Sequence, residues 1–377
     1  MTDFVEQLDG LDATTDSAEN VLYAFARETT VSSLAECGVD ALPILDISLM
    51  QGNEDERGRF IAQMRDVLHK HGFFYLAGHG VPAKLTTEVM AASKRFFALP
   101  EADKLEIEMI RSRQFRGYNR AGMELTRGRQ DWREQVDFDC EEDALEMGTD
   151  DPVWKRVLGP NLWPSAMPDL KATILRYQAE CTRVGREVLE AIALALGQEQ
   201  DFFAPMYEAG PRQHMKILRY PGQEGAQSDQ GVGAHKDGGL VTILLQDILA
   251  GLRVQTEDGN WIEAPPIPGT FIVNTGELLE LATNGFVHAD VHGVVAPPPG
   301  TERFSIAFFF GASHDGSVPL IALPEELKKA ERGVSTDPNN PLFRDIGLNH
   351  LKARLRSHPD VAQEHYADVM DDILGKA

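Results

Sequence analysis

The residues best suited to chemistry are two histidines and an aspartate in the second half of the chain. His235 and Asp237 stand two apart in Gly233-Ala234-His235-Lys236-Asp237-Gly238-Gly239, and His292 follows in Val291-His292-Gly293-Val294-Val295. On an extended strand, side chains at i and i+2 leave the same face, so His235 and Asp237 can reach one ion together. Two imidazoles and one carboxylate on one side of a metal leave three positions open, the arrangement of reactive non-haem Fe(II) sites. A structural zinc site would be closed by four protein ligands, and no fourth is evident.

Arg303 and Ser305 form a second pair at i and i+2, opening the apolar run Ile306-Ala307-Phe308-Phe309-Phe310. A guanidinium fork pairs with a carboxylate in two-point geometry, and a hydroxyl adds one hydrogen bond. An arginine buried among phenylalanines requires an anionic partner, because an unpaired buried charge is costly. The simplest partner is the distal carboxylate of a small dicarboxylic acid whose other end chelates the metal. The phenylalanine run reads as packing, with alternate residues able to wall a substrate pocket; Phe308 is the candidate taken from it.

Elements must bring these stretches together. Pro43–Ser48 reads as a short strand, Asn53 as the cap of a helix running to Lys70, and Phe73–Leu76 as a second strand. Residues 83–98 and 101–110 read as helices, and 164–196 as a long helix or a broken pair. After Pro211 come short β-rich runs: Met215–Tyr220, Leu240–Leu245, Leu252–Gln255, Thr270–Asn274, Phe286–Val291 and Phe304–Phe310. Such spacing predicts an antiparallel barrel or sandwich. Helical pattern returns beyond Pro324 and closes with residues 360–374. The expected division is a peripheral segment (1–40), an α/β region (41–160), a long helical support (161–210), a β core (211–322) and C-terminal helices (323–377).

Composition sets outer bounds. The chain has 377 residues and a formal net charge of −23. So acidic a balance argues against nucleic acid, whose phosphates call for basic surface. Three cysteines, Cys37, Cys140 and Cys181, are odd in number and far apart, which reads as reduced thiols and a cytoplasmic setting. No secretory leader or membrane-spanning run is expected.

Some signals compete with the first pair. His288 and His292 are four apart, like a zinc pair on a helix, but Phe286–Val295 reads as β. The glycines around Gly231–Gly239 open no helix and do not fit a dinucleotide site. His79 shapes a turn, and His214 and His314 flank strands with no assigned role. The segment 111–133 is rich in arginine and has two readings. One is a solvated basic surface answering the acidic loop that follows. The other is a lid whose Arg113 and Arg116 grip an anionic substrate.

The stretch His235–Asp247 resembles the iron-binding strand of the isopenicillin N synthase-like 2-oxoglutarate-dependent dioxygenases. Gly251-Leu252-Arg253-Val254, Val273-Asn274-Thr275-Gly276-Glu277, Thr283-Asn284-Gly285, His292 and Arg303-Phe304-Ser305 share the resemblance, as do Gly72-Phe73-Phe74, Gly78-His79-Gly80-Val81 and Phe96–Pro100. It covers roughly residues 42–312. It implies a mainly β fold with flanking helices: a double-stranded β-helix (jelly-roll) core behind an α/β N-terminal region. By the same resemblance, His235, Asp237 and His292 match the Fe(II) ligands, Arg303 and Ser305 hold the 2-oxoglutarate carboxylate, and Tyr220 touches this cosubstrate. Leu218 stands where many members have asparagine, and Gly293 where arginine is common. The implied reaction uses O2 and decarboxylates 2-oxoglutarate to succinate and CO2 while hydroxylating a small organic substrate; desaturation and cyclisation use the same site. Two other activities share the fold: an oxidase that does not consume 2-oxoglutarate, and a catalytically silent sensor.

Overall fold

The chain enters through strand β1 (Ile44–Asp46), helix α1 (Glu54–Lys70), strand β2 (Phe73–Ala77) and helix α2 (Ala83–Phe97). The structure, a computed structural model, describes residues 42–208, 210–222, 230–334 and 341–375; the segment expected over 1–40, with Cys37, lies outside them. Asn53 begins α1 as expected. Its side chain accepts from Glu56 N, and Glu56 returns the bond to Asn53 N, both at 3.0 Å. That reciprocal cap stabilises the helix by about 1 kcal/mol. The helix expected over 101–110 is cut to Glu101–Leu105, because Ile107 O instead accepts from Tyr118 N at 2.7 Å.

Strands β3 (Gly117–Asn119), β4 (Leu125–Thr126), β5 (Arg129–Gln130) and β6 (Glu134–Phe138) follow, then the long helix α3 (Leu170–Ala195). The core strands are β7 (Arg212–Pro221), β8 (Gln230–His235), β9 (Val241–Gln246), β10 (Leu252–Gln255), β11 (Trp261–Glu263), β12 (Phe271–Thr275), β13 (His292–Val295) and β14 (Glu302–Gly311). A short helix α4 (Glu277–Ala282) follows β12. Residues 286–291, expected as a strand, form an irregular loop docked on α1, with His288 N donating to Leu68 O at 2.9 Å. The chain closes in helices α5 (Ile346–Ser357), α6 (Pro359–His365) and α7 (Met370–Gly375), so the helix expected over 360–374 is interrupted.

The strands form an eight-stranded sheet in the order β1-β2-β12-β9-β14-β7-β6-β3 and a four-stranded sheet in the order β11-β10-β13-β8. This is the jelly-roll arrangement that the family resemblance implies, and it fits the barrel or sandwich predicted from the β-rich runs. Strands from before residue 160 extend the eight-stranded sheet at both edges, so the α/β region and the β core share it.

Alternation along β14 divides the interior in two. Phe304, Ile306, Phe308 and Phe310 pack with Val184, Val188 and Ile192 of α3 in one apolar core. A Cβ on Gly185 would lie 2.8 Å from the Phe310 ring, so glycine lets α3 approach the sheet. Each buried phenylalanine contributes about 1.5–3 kcal/mol by leaving water. Arg303, Ser305, Ala307 and Phe309 face the other way, into a cavity of about 900 Å³. Among the described residues, no helix is long and apolar enough to cross a membrane.

Candidate active site

Sheet pairing assembles the three metal-type residues. His292 of β13 lies directly opposite His235 of β8, and Asp237 follows two residues later on the same strand exit. One ligand-type atom from each lies within 4.8 Å of the others, and no further described residue joins the group. Asp237 Oδ1 sits 3.5 Å from His235 Nε2 and 3.6 Å from His292 Nε2.

Neighbouring bonds fix which atom each side chain offers. His235 Nδ1 donates to Gly233 O at 2.9 Å and His292 Nδ1 to Asp290 O at 3.2 Å, which turns both Nε2 atoms inward. Asp237 Oδ2 accepts from Thr242 Oγ1 at 2.5 Å and Asn274 Nδ2 at 2.7 Å, leaving Oδ1 toward the histidines. Burial pushes His292 down to about 4, whereas the Asp237 carboxylate raises His235 in spite of its burial. Burial opposes ionisation of Asp237, but His292, His235 and Asn274 more than offset it and hold the carboxyl well below its ordinary range. The donor set therefore fits a divalent ion bound on one face only. Gly293, the position where arginine is common, sits at the register shift between His292 and Val294, where a Cβ would lie 3.0 Å from Val232 O.

Arg303 and Ser305 line the same cavity, both fully or almost fully buried. The guanidinium donates to Gln246 Oε1 at 2.8 Å and Leu249 O at 3.2 Å, and lies 5.0 Å from the Tyr220 ring centre. Its partners are neutral; no described carboxylate pairs with it. Arg303 and Tyr220 are cross-strand neighbours on β14 and β7, as are Ser305 and Leu218. Leu218 makes that part of the wall apolar.

Comparison with known proteins decides the family. Residues 42–166 match the N-terminal family of the non-haem dioxygenase in morphine synthesis, and residues 211–312 match the 2OG-Fe(II) oxygenase superfamily. The 2-oxoglutarate-dependent dioxygenase frbJ of Dothideomycetidae sp. (strain 11243) is 36% identical over 354 residues, covering 89% of this chain and 95% of its own. The chain belongs to the 2OG-Fe(II) oxygenase superfamily. Homoarginine-6-hydroxylase 2-ODD-233 of Oryza sativa subsp. japonica is 33% identical, covering 76% of this chain and 90% of its own. A crystal structure of a full-length Neurospora crassa protein with alpha-KG and thymine superposes with a TM-score of 0.64 at 27% identity, covering 76% of this chain and 91% of that one. The chain is thus a 2-oxoglutarate-dependent dioxygenase, an enzyme that uses Fe(II), 2-oxoglutarate and O2 on a small-molecule substrate.

Three substrate candidates fall elsewhere in this oxygenase. Phe308 points into the core against α3, and its neighbour Phe309 reaches the cavity instead. Arg116 is fully buried behind the wall, bonded to Gln114 O at 2.6 Å and Val157 O at 3.1 Å, with Asp139 at 3.4 Å. Arg113 donates to Leu145 O at 3.2 Å and does not line the cavity. Nor is the segment 111–133 uniformly a solvated surface: Arg111, Arg120, Arg127 and Arg129 are exposed, while Arg133 is clamped between Glu124 at 2.6 Å and Asp131 at 3.5 Å. Residues 125–128 of the β4–β5 hairpin edge the cavity.

His214, to which the sequence assigns no role, lines the cavity with Lys216, Leu218 and Tyr220. Alternation along β7 carries that signal: all four share the parity of Tyr220. Thr242 and Asn274, which hold Asp237, are legible only from the fold. His314 and His350 also line the cavity; His288 stays outside it, beside Asp290 and Glu257 at 3.6 Å each.

Proposed function

We propose that His235 Nε2, Asp237 Oδ1 and His292 Nε2 bind the Fe(II), and that Arg303 holds the distal carboxylate of 2-oxoglutarate with Ser305 and Tyr220 beside it. One observation carries this reading: a buried guanidinium without an anionic partner shares a cavity with a three-donor, half-open metal site. When bound, the iron supplies oxidative decarboxylation of 2-oxoglutarate by O2, coupled to oxidation of the substrate.

The protein's own residues do the rest. Thr242 and Asn274 hold the carboxylate in one orientation, and Gly233 and Asp290 carbonyls hold the imidazoles. Arg303 would hold the distal carboxylate of the cosubstrate. Phe309, Leu218 and Ala307 wall the adjoining space and keep it apolar near the metal, which limits water there.

Hydroxylation of a small polar molecule is the favoured outcome. Thymine in the Neurospora crassa relative and homoarginine in the name of the rice relative set the scale of such a substrate. The expectation of an anionic substrate rested on Arg113 and Arg116, and both are committed elsewhere. Succinate release from 2-oxoglutarate, tested with Fe(II) across candidate metabolites, is the deciding measurement. Release that Arg303→Leu leaves unchanged would remove the clamp assignment, and metal affinity indifferent to His292→Ala would remove the ligand assignment.

A further inference from the structure

The cavity does not end at the metal. Along the β7/β14 pair, Arg303 faces Tyr220 at one end, and Phe309 faces His214 at the other, with Gly311 opposite Arg212 beyond. There the space is closed by His314, just past β14, and by His350 and Arg354 of α5. The His314 and His350 rings lie 4.5 Å apart by centroid, and the His214 and His350 rings 6.4 Å.

These walls hold polar atoms without hydrogen-bond partners. Both ring nitrogens of His214, Nδ1 of His314, Nε2 of His350 and Nε of Arg354 are buried without a hydrogen-bond partner, although Asp137 Oδ1 lies 3.3 Å from His214 Nε2 and Asp139 Oδ2 3.7 Å from His214 Nδ1. So many orphans on one wall are costly unless a ligand or water meets them.

The surrounding charges are already matched. Lys216 pairs with Glu124 at 2.8 Å, Arg354 with Asp137 at 3.1 Å, Arg212 with Glu142 at 2.7 Å and Arg116 with Asp139 at 3.4 Å. A ligand bringing a full charge to this end would have to compete with these pairs and would lose its hydration. A neutral imidazole, by contrast, donates at one nitrogen and accepts at the other.

Resting on the active-site reading above, we infer that this far end of the cavity binds an uncharged substrate head carrying both N–H and C=O groups, an amide or lactam, through His214, His314 and His350. Burial supports the neutral state of the trio, holding His214 at about 4, His314 at about 3 and His350 well below its ordinary value. Carboxylate binding would have to recharge these rings against that burial.

Three probes of one size separate the charge classes: nicotinamide (uncharged amide), nicotinate (carboxylate) and benzamidine (cation). Binding is measured calorimetrically on the full chain with Mn(II) replacing Fe(II), so that no turnover intervenes. Nicotinamide is expected to bind about tenfold or more tightly than the other two. His314→Leu and His350→Leu should erase that preference, and His350→Gln, which keeps a donor and an acceptor, should retain most of it; circular dichroism checks that each variant is folded. Equal or tighter binding of nicotinate or benzamidine overturns the inference, as does no nicotinamide binding at tens of millimolar. 2-Oxoglutarate affinity in the same samples keeps the two readings apart, since its absence in the wild type counts against the Arg303 clamp alone.

Discussion

His235 and His292 are direct cross-strand partners, with ring centroids 4.3 Å apart, although a long stretch of chain separates them. The metal site is therefore a property of strand register. A slip of one residue between β8 and β13 would turn one imidazole to the opposite face. The aspartate is set by different contacts, and these can be tested apart from the ligands. Asn274→Ala or Thr242→Val should weaken Fe(II) binding about 10–100-fold while the fold persists. Metal titration followed by circular dichroism reads both quantities; unchanged affinity in both variants would show that Asp237 needs neither bond.

Arg303 should show its role through 2-oxoglutarate. Replacing it by leucine removes the charge that meets the distal carboxylate, at a cost of about 2–5 kcal/mol in binding, roughly 30-fold or more in Kd. Arg303→Lys keeps the charge but loses the planar fork, and it should fall between wild type and leucine. Metal affinity should stay level in both variants, because Arg303 bonds Gln246 and Leu249 rather than a metal-type residue. A loss of metal and 2-oxoglutarate binding in parallel would instead indicate collapse of the cavity.

Much of this centre was legible because strand periodicity is strict. His235 with Asp237 and Arg303 with Ser305 share faces whatever the sheet order. By the same rule Phe309, which shares the parity of Arg303, reaches the cavity, and Phe308 does not. The arginines at 113 and 116 show the opposite case. Composition marked them as basic, but only tertiary contacts reveal that Arg116 bonds carbonyls behind the wall. Thr242 and Asn274 were equally hidden, since they meet Asp237 from β9 and β12, which are paired with each other rather than with β8. The strand expected at 286–291 failed because its backbone bonds go to α1 and a threonine hydroxyl instead of a ladder.

Acid should unfold this protein earlier than its carboxylates alone would. Burial lowers His214 and His358 to about 4 and His314 to about 3, against about 6.5 in the unfolded chain. Between those limits the unfolded state binds more protons, so stability rises with pH and is lost as pH falls below about 6.5. Below about pH 4 for His214 and His358, and below about pH 3 for His314, the rings protonate in both states and their slope vanishes. Each buried histidine contributes at most about 1.4 kcal/mol per pH unit within the window. Urea unfolding followed from neutral pH down to about pH 5 should show this decline, and His314→Gln should make it shallower. A stability independent of pH over that range would mean that the buried rings titrate normally.

Adjacent phenylalanines on β14 offer the sharpest separation of stability from function. Phe308 lies wholly in the apolar core against α3, so Phe308→Ala leaves a cavity and should cost about 3–5 kcal/mol. Its turnover per folded molecule should stay near wild type, because the side chain never reaches the cavity. Phe309 faces His214 across the strand pair, with ring centroids 5.3 Å apart, and borders the space beside the metal. Phe309→Ala should cost less stability, since its ring is only partly buried, yet it should raise the substrate KM. 2-Oxoglutarate affinity should change little, because the clamp lies toward the opposite end of β14. Denaturant unfolding and steady-state kinetics in substrate and in 2-oxoglutarate read these quantities on the two variants. If Phe308→Ala raised KM and Phe309→Ala did not, the assignment of the two strand faces would be inverted.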